Sequence, residues 1–134
     1  MSTEAAHRLL AAFDSGDESV VAEVVHPSHT DHAPIEDTSG REAVLDSMRW
    51  VGDTFADRHT SVEDLFATED RVVARVRFSA TQAGELFDMS PTGRRFEAEQ
   101  VHIWRVQDGL LAEHWMLRDD LGAMRQLGLA EAVR

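Results

Sequence analysis

The dipeptide Asp108-Gly109 constrains this chain more than any other feature. It stands between two runs in which apolar and polar residues alternate, Phe96 to Gln107 and Leu110 to Arg118. Asp-Gly suits a two-residue turn in which both residues take positive φ, and such a turn matches the twist of the strands it joins. An antiparallel hairpin is therefore predicted over residues 96–118. Pairing counted outward from Gln107 and Leu110 sets His102 opposite Trp115, Gln100 opposite Leu117 and Ala98 opposite Asp119. Cross-strand partners share a face. One face then carries Phe96, Gln100, His102, Trp104, Trp115, Leu117 and Asp119. The other carries Val101, Ile103, Arg105, His114, Met116 and an opposed Glu99–Arg118 pair. One extra residue in either strand would turn every later assignment on it to the other face.

Upstream of the hairpin the hydrophobic period changes once. Ala6, Leu9, Leu10 and Phe13 recur at helix spacing, and Gly16 ends the pattern. Val20, Val21, Val24 and Val25 give a second short helix, stopped by Pro27. Ser39-Gly40-Arg41-Glu42 fits a capping box that opens a third helix, whose apolar stripe is Val44, Met48, Val51 and Phe55. The stretch from His26 to Asp37 holds two prolines and reads as loop or short strand. From about residue 60 the period is two: Val72, Ala74, Val76, Phe78 and Ala80 alternate with Arg71, Val73, Arg75, Arg77 and Ser79. Residues 84–95 form a long connection, and Leu121, Met124 and Leu127 a short terminal helix closed by Gly128. Helices first and a meander of strands afterwards make an α+β plan. At 134 residues the chain suits one domain, residues 1–134, with no linker or repeat.

Charge and composition narrow the function. The formal net charge of −12 opposes nucleic acid and anionic membrane surfaces, both of which need clustered basic residues. With no cysteine, disulfides, thiolate metal sites and a cysteine nucleophile are excluded. No apolar run is long enough to span a membrane, and Met1-Ser2-Thr3-Glu4 is no signal peptide, so the expected location is cytoplasmic. His26, His29 and His32 have a spacing that suits zinc on a helix, but Pro27 and Pro34 interrupt the stretch, and no metal or cofactor is assigned.

The first hairpin face mixes large aromatics with a few polar groups that lack ion-pair partners in the hairpin, the makeup of a small-molecule pocket. Asp119 has two readings. It stands before Leu121-Gly122-Ala123, where an Asp is a normal helix N-cap. It also falls on the pocket face, where burial among Trp and Leu would raise a carboxyl toward neutrality, as a general base needs. His102 and Gln100 fall on the same face as side chains able to donate hydrogen bonds into such a pocket. Asp120 reads as a solvent-exposed first-turn acid of the last helix, and on the other sheet face His114 reads as packed or interfacial. Val101, Ile103 and Met116 there would be exposed on a monomer, so a homodimer through this outer face is expected.

The run Asp108-Gly109-Leu110-Leu111-Ala112-Glu113-His114-Trp115, followed by Asp119, Leu121-Gly122 and Gln126-Leu127-Gly128, resembles the chain ends of the SnoaL-like polyketide cyclases and their ester cyclase relatives. Thr30-Asp31-His32-Ala33-Pro34, Gly40-Arg41-Glu42-Ala43 and Ser90-Pro91-Thr92-Gly93-Arg94-Arg95 match in order, so the likeness spans roughly residues 26–129. It implies a nuclear-transport-factor-2-like cone, with N-terminal helices packed on a strongly bent antiparallel sheet around a pocket. It also implies a cofactor-independent cyclase of secondary metabolism, closing a ring in a polyketide-like carbonyl substrate by aldol-type acid–base chemistry. Asp119 occupies the base position after the last strand, with His102 as its partner. His32 matches a pocket-lining position, joined by Gln100, Trp104, Trp115, Leu117 and Phe96. Two alternatives share the pocket: a non-catalytic module binding a small apolar ligand, and an isomerase or hydrolase using the same base.

Overall fold

The computed structural model describes residues 2–33 and 36–130. Pro34, the last residue of the Thr30-to-Pro34 motif, and Met1 lie outside the described residues. Helix α1 (Glu4–Ser15) and helix α2 (Ser19–Val24) lead into strand β1 (Val25–His32) and the short β2 (Asp37–Ser39). Helix α3 (Arg41–Thr54) then precedes the meander β3 (Phe55–Thr68), β4 (Arg71–Gln82), β5 (Arg95–Gln107) and β6 (Leu110–Arg118), and α4 (Asp120–Gln126) follows.

The helices form where the period of 3.6 is kept. Ala6, Leu9 and Leu10 of α1 are buried, and Gly16 ends the helix in the left-handed region at φ 78°, its N–H donating to the Ala12 carbonyl. Val21 and Val24 of α2 and Val44 and Met48 of α3 complete the buried faces. The expected capping box is not formed. Gly40 is the N-cap of α3 without a side-chain bond, and Ser39, one residue earlier, ends β2 in the pairing opposite Thr30.

The six strands form one sheet in the order β2-β1-β6-β5-β4-β3. The expectation of an antiparallel sheet is corrected at one place: β1 runs parallel to β6, while the other neighbours are antiparallel. The segment read as loop or short strand thus supplies β1, a strand inside the sheet. Along β4 the alternation is nearly complete, with Val72, Ala74, Val76, Phe78 and Ala80 buried. Helices α1, α2 and α3 pack there with Trp104 and Leu111, and a second cluster gathers Phe55, Phe78, Phe96 and Leu127. The long connection after β4 is pinned by the fully buried Gln82. Its amide donates to the carbonyls of Gly84 and Ser90, and its carbonyl accepts from the Thr92 N–H and hydroxyl.

The hairpin turns at Asp108 (φ 53°) and Gly109 (φ 76°), both positive as the dipeptide requires. Gln107 pairs with Leu110 and Val106 with Leu111, and there the simple register ends. Arg105 pairs with Glu113, leaving Ala112 as an extra residue in β6. Beyond this bulge His102 faces Met116, Ile103 faces Trp115 and Trp104 faces His114. The expected pairing of His102 with Trp115 is therefore corrected, and so is the Glu99–Arg118 pair, since Arg118 lies opposite Gln100. Burial explains the slip. Leu111 and Ala112 are both buried, at 0% and 3% exposure, which strict alternation forbids for neighbours.

Candidate active site

Between the helices and the inner face of the sheet lies a cavity of about 410 Å³, within the range of small-molecule sites. Leu9, Leu10 and Phe13 of α1 and Val44, Ser47 and Trp50 of α3 form one wall. The sheet supplies Phe78 from β4 and Phe96, Ala98, Gln100, His102 and Trp104 from β5. His114 and Met116 come from β6, His29 and Asp31 from β1, and Leu86 and Phe87 from the long connection. The lining is mainly apolar, and its polar groups are concentrated where β1, β6 and β5 run side by side.

Those polar groups form a row. Asp31 stands opposite His114 in the parallel β1–β6 pair, and the Asp31 Oδ1 to His114 Nδ1 distance is 3.1 Å. His114 Nε2 is 2.9 Å from His102 Nδ1, and His102 Nε2 is 2.9 Å from Gln100 Oε1. The imidazoles of His102 and His114 stack at 5.1 Å, and Trp104 stacks on both, at 5.3 Å from His102 and 5.1 Å from His114. Trp104 is among the most buried large side chains, so its ring fixes the planes of the two imidazoles.

Burial controls the charge states. His102 is pushed down to about 3, first by burial, then by neighbouring His114, with Asp31 opposing and Arg118 adding a little. His29 is also buried and is pushed down to about 4, chiefly by burial; its Nε2 has no hydrogen-bond partner among the described residues. Burial alone would raise the Asp31 carboxyl, but the hydrogen bond from His114 and the surrounding imidazoles outweigh it and hold it below the ordinary carboxylate value.

The structure brings most of the expected site residues to the cavity and leaves two, Trp115 and Asp119, outside its lining. Phe96, Gln100, His102 and Trp104 line the cavity, and Leu117 lies at its edge with 78% exposure. Trp115 is corrected to the outer face, because the Ala112 bulge turns it away. His32 borders the cavity, but its ring stacks on Trp115 at 5.0 Å and is held by Asp37 and Glu113 at 3.0 and 2.8 Å. Asp119 is exposed and is not part of the cavity lining. Its Oδ1 accepts from the Gly122 N–H at 2.8 Å, so of its two readings the structure realises the helix cap. Two members of the row are not legible in the sequence: uniform pairing from the turn puts His114 on the outer face, and Asp31 lies in a stretch without strand periodicity. Met116, expected outside with Val101 and Ile103, pairs with His102 and reaches the cavity, while Trp115 and Leu117 pair with Ile103 and Val101 on the outer face, where Met116 still borders the depression.

The three histidines spaced three apart diverge along β1. His26 accepts from the Ser28 N–H, His29 is buried in the cavity and His32 faces outward. Among the described residues no group of three or more His, Asp or Glu is arranged to hold a metal ion.

A family model described as SnoaL-like polyketide cyclase matches residues 3–127. Aklanonic acid methyl ester cyclase AcmA of Streptomyces galilaeus is 34% identical over 128 residues, covering 92% of this chain and 88% of that protein. Nogalonic acid methyl ester cyclase of Streptomyces nogalater is 34% identical over 125 residues, covering 90% and 92%. Among solved structures, TsrD from Streptomyces laurentii superposes with a TM-score of 0.87 at 31% identity, covering 97% of this chain and 99% of that one.

Proposed function

The chain belongs to the SnoaL-like polyketide cyclase family, and we propose that it closes a ring in a polyketide-like carbonyl compound by acid–base chemistry at His102. This reading rests on one observation above the rest: an apolar cavity of ligand size whose polar lining includes a hydrogen-bonded row ending at His102 and Gln100. The relatives named as cyclases of aklanonic and nogalonic acid methyl esters support a carbonyl-rich substrate and a place in secondary metabolism.

In this reading a ligand carbonyl lies against Gln100 and His102. His102, kept neutral by burial, is a base at neutral pH without first losing a proton. It takes a proton from a carbon beside the carbonyl, and the enolate oxygen is held by the Gln100 amide N–H. The enolate carbon attacks a second carbonyl folded close to it, and the new alkoxide takes a proton back. Every step uses side chains of this chain, so no cofactor or metal is invoked. Asp119 is left out of the chemistry because its carboxylate is spent on the α4 cap.

His102→Gln keeps a hydrogen-bonding side chain but removes the base. Turnover of aklanonic or nogalonic acid methyl ester, the substrates to try first, should fall about 10²–10⁴-fold while ligand binding survives. Unchanged turnover would refute the assignment, and binding without turnover in the wild type would favour a non-catalytic module.

The outer face completes the proposal. Val101, Ile103, Trp115 and Leu117 form a shallow apolar depression bordered by His32, and we assign it to a second copy of the chain. Absence of cysteine frees the fold from an oxidising compartment and supports a cytoplasmic setting. Among the described residues no helix is long and apolar enough to cross a membrane.

A further inference from the structure

With His102 neutral, the row from Asp31 through His114 and His102 to Gln100 can be filled with hydrogens in two complete ways. A carboxylate only accepts, so His114 Nδ1 carries a hydrogen and donates to Asp31. In the first filling His102 Nδ1–H donates to a bare His114 Nε2, and His102 Nε2 accepts from the Gln100 amide. In the second, one proton richer, His102 Nε2–H donates to the Gln100 carbonyl. His102 Nδ1 then accepts from His114 Nε2–H, so that His114 is an imidazolium. The two differ by one proton and a half-turn of the Gln100 amide, and no hydrogen bond of the row is lost in either.

We infer that this row is a one-proton store: a proton received at His102 Nε2 comes to rest on His114 beside Asp31, with His114 and Asp31 as positioning residues for His102. Geometry selects the resting place. Three imidazoles surround Asp31, and His114 is the one bonded to its carboxylate. His29 and His102 are held neutral by burial. Of the other charged groups, Arg118 of β6 opposes a charge on His102 and is itself paired with Asp120 of α4 at 3.2 Å. The cavity-lining residues of α1 and α3 are uncharged.

The store rests on the cyclase reading only for the use of its proton. A C–H bond of the ligand breaks, its electron pair stays on carbon as the enolate, and the proton bonds to His102 Nε2. The Nδ1 proton of His102 moves to His114 Nε2. After the carbon–carbon bond forms, the row runs backward and the alkoxide oxygen takes the proton. No electron or proton is gained or lost overall, as an intramolecular ring closure requires.

The test is a pH titration of ligand-free, ¹⁵N-labelled protein, following the histidine ring nitrogens by NMR. As pH falls, His114 should gain its second proton while His102 stays neutral and swaps from Nδ1–H to Nε2–H at the same midpoint. Asp31→Asn should move that midpoint to lower pH, and Asp31→Glu should restore most of it. The store is overturned if His102 becomes the imidazolium, if it keeps one tautomer throughout, or if Asp31→Asn leaves the midpoint in place. Should Asp31→Asn fail to fold, the wild-type titration decides alone. Since the readout needs no substrate, its failure is distinct from a failure of the cyclase reading, which shows in His102→Gln turnover.

Discussion

The two faces of the sheet carry the same pair of residues in opposite settings. On the inner face Trp104 stacks on His102, with an angle of 6° between the rings; on the outer face Trp115 stacks on His32, at 14°. Both histidines use both ring nitrogens in hydrogen bonds. Inside, the partners are a neutral amide and another imidazole, and burial pushes His102 down to about 3. Outside, the partners are two carboxylates, and His32 is raised, chiefly by its bond to Glu113 and then, against the cost of burial, by Asp37. Stacking is therefore no guide to charge. What surrounds the imidazole edge decides whether it works as a base or as half of an ion pair.

The largest expected effect comes from removing the inner tryptophan. Trp104 is 2% exposed, so Trp104→Ala should cost about 3–5 kcal/mol in denaturant unfolding, from lost transfer energy and the cavity left behind. Trp115→Ala removes a half-buried ring from the outer face and should cost clearly less. Its main effect should fall on self-association. If the two cost the same in the monomer, the contrast between the faces fails.

Assembly sharpens the comparison next. Ile103→Glu places a charge in the outer depression and should convert a dimer to a 15.0 kDa monomer in sedimentation, with the inner row and its turnover little changed. A wild-type chain already monomeric at micromolar concentration would remove the second copy from the outer face.

The inner arrangement was only half legible in the sequence, and the reason is local. The Asp108-Gly109 turn, the strands on either side and the buried alternation of β4 follow from patterns a few residues long, and all are found in the structure. The bulge at Ala112 is a tertiary effect: burying both Leu111 and Ala112 gains more than an unbroken ladder, and one inserted residue turns His114 inward. A signal was present, for Leu110-Leu111-Ala112 breaks the period of two just before Glu113. Asp31 left no such trace. It reaches His114 through a parallel pairing with β6, a non-local contact with no turn to announce it. Residues of β5 were therefore placed correctly, residues of β6 were turned over, and the carboxylate of β1 was missed.

The opposed histidines also predict opposite pH signs. His102 and His29 bind protons more readily in the unfolded chain, whose ordinary value is about 6.5. They therefore remove stability as pH falls from about 6.5 toward their folded values of about 3 and about 4. His32, raised in the fold, contributes stability that is complete below the ordinary histidine value and is lost as pH rises through its folded value. In thermal melts His32→Gln should flatten the alkaline side of this window, and His102→Gln the acid side. Identical pH profiles in the two variants would show that the faces do not differ in this way.

The smallest effect separates Asp119 from the cavity. Its carboxylate accepts the Gly122 N–H at the start of α4, and a Cβ at Gly122 would run into the Asp119 carboxylate, so the cap closes only around glycine. Loss of an N-cap costs typically about 1 kcal/mol, a shift of about 3–5 °C in melting temperature for a chain of this size. Asp119→Ala should show that loss and keep its turnover, because no polar atom of the inner row depends on it. Asp119→Asn should lose less still, since asparagine caps helices about as well as aspartate. A base at this position predicts the reverse, an unchanged melting temperature with turnover down by about 10² or more. Paired melting and turnover measurements on the Asn variant therefore tell a cap from a base.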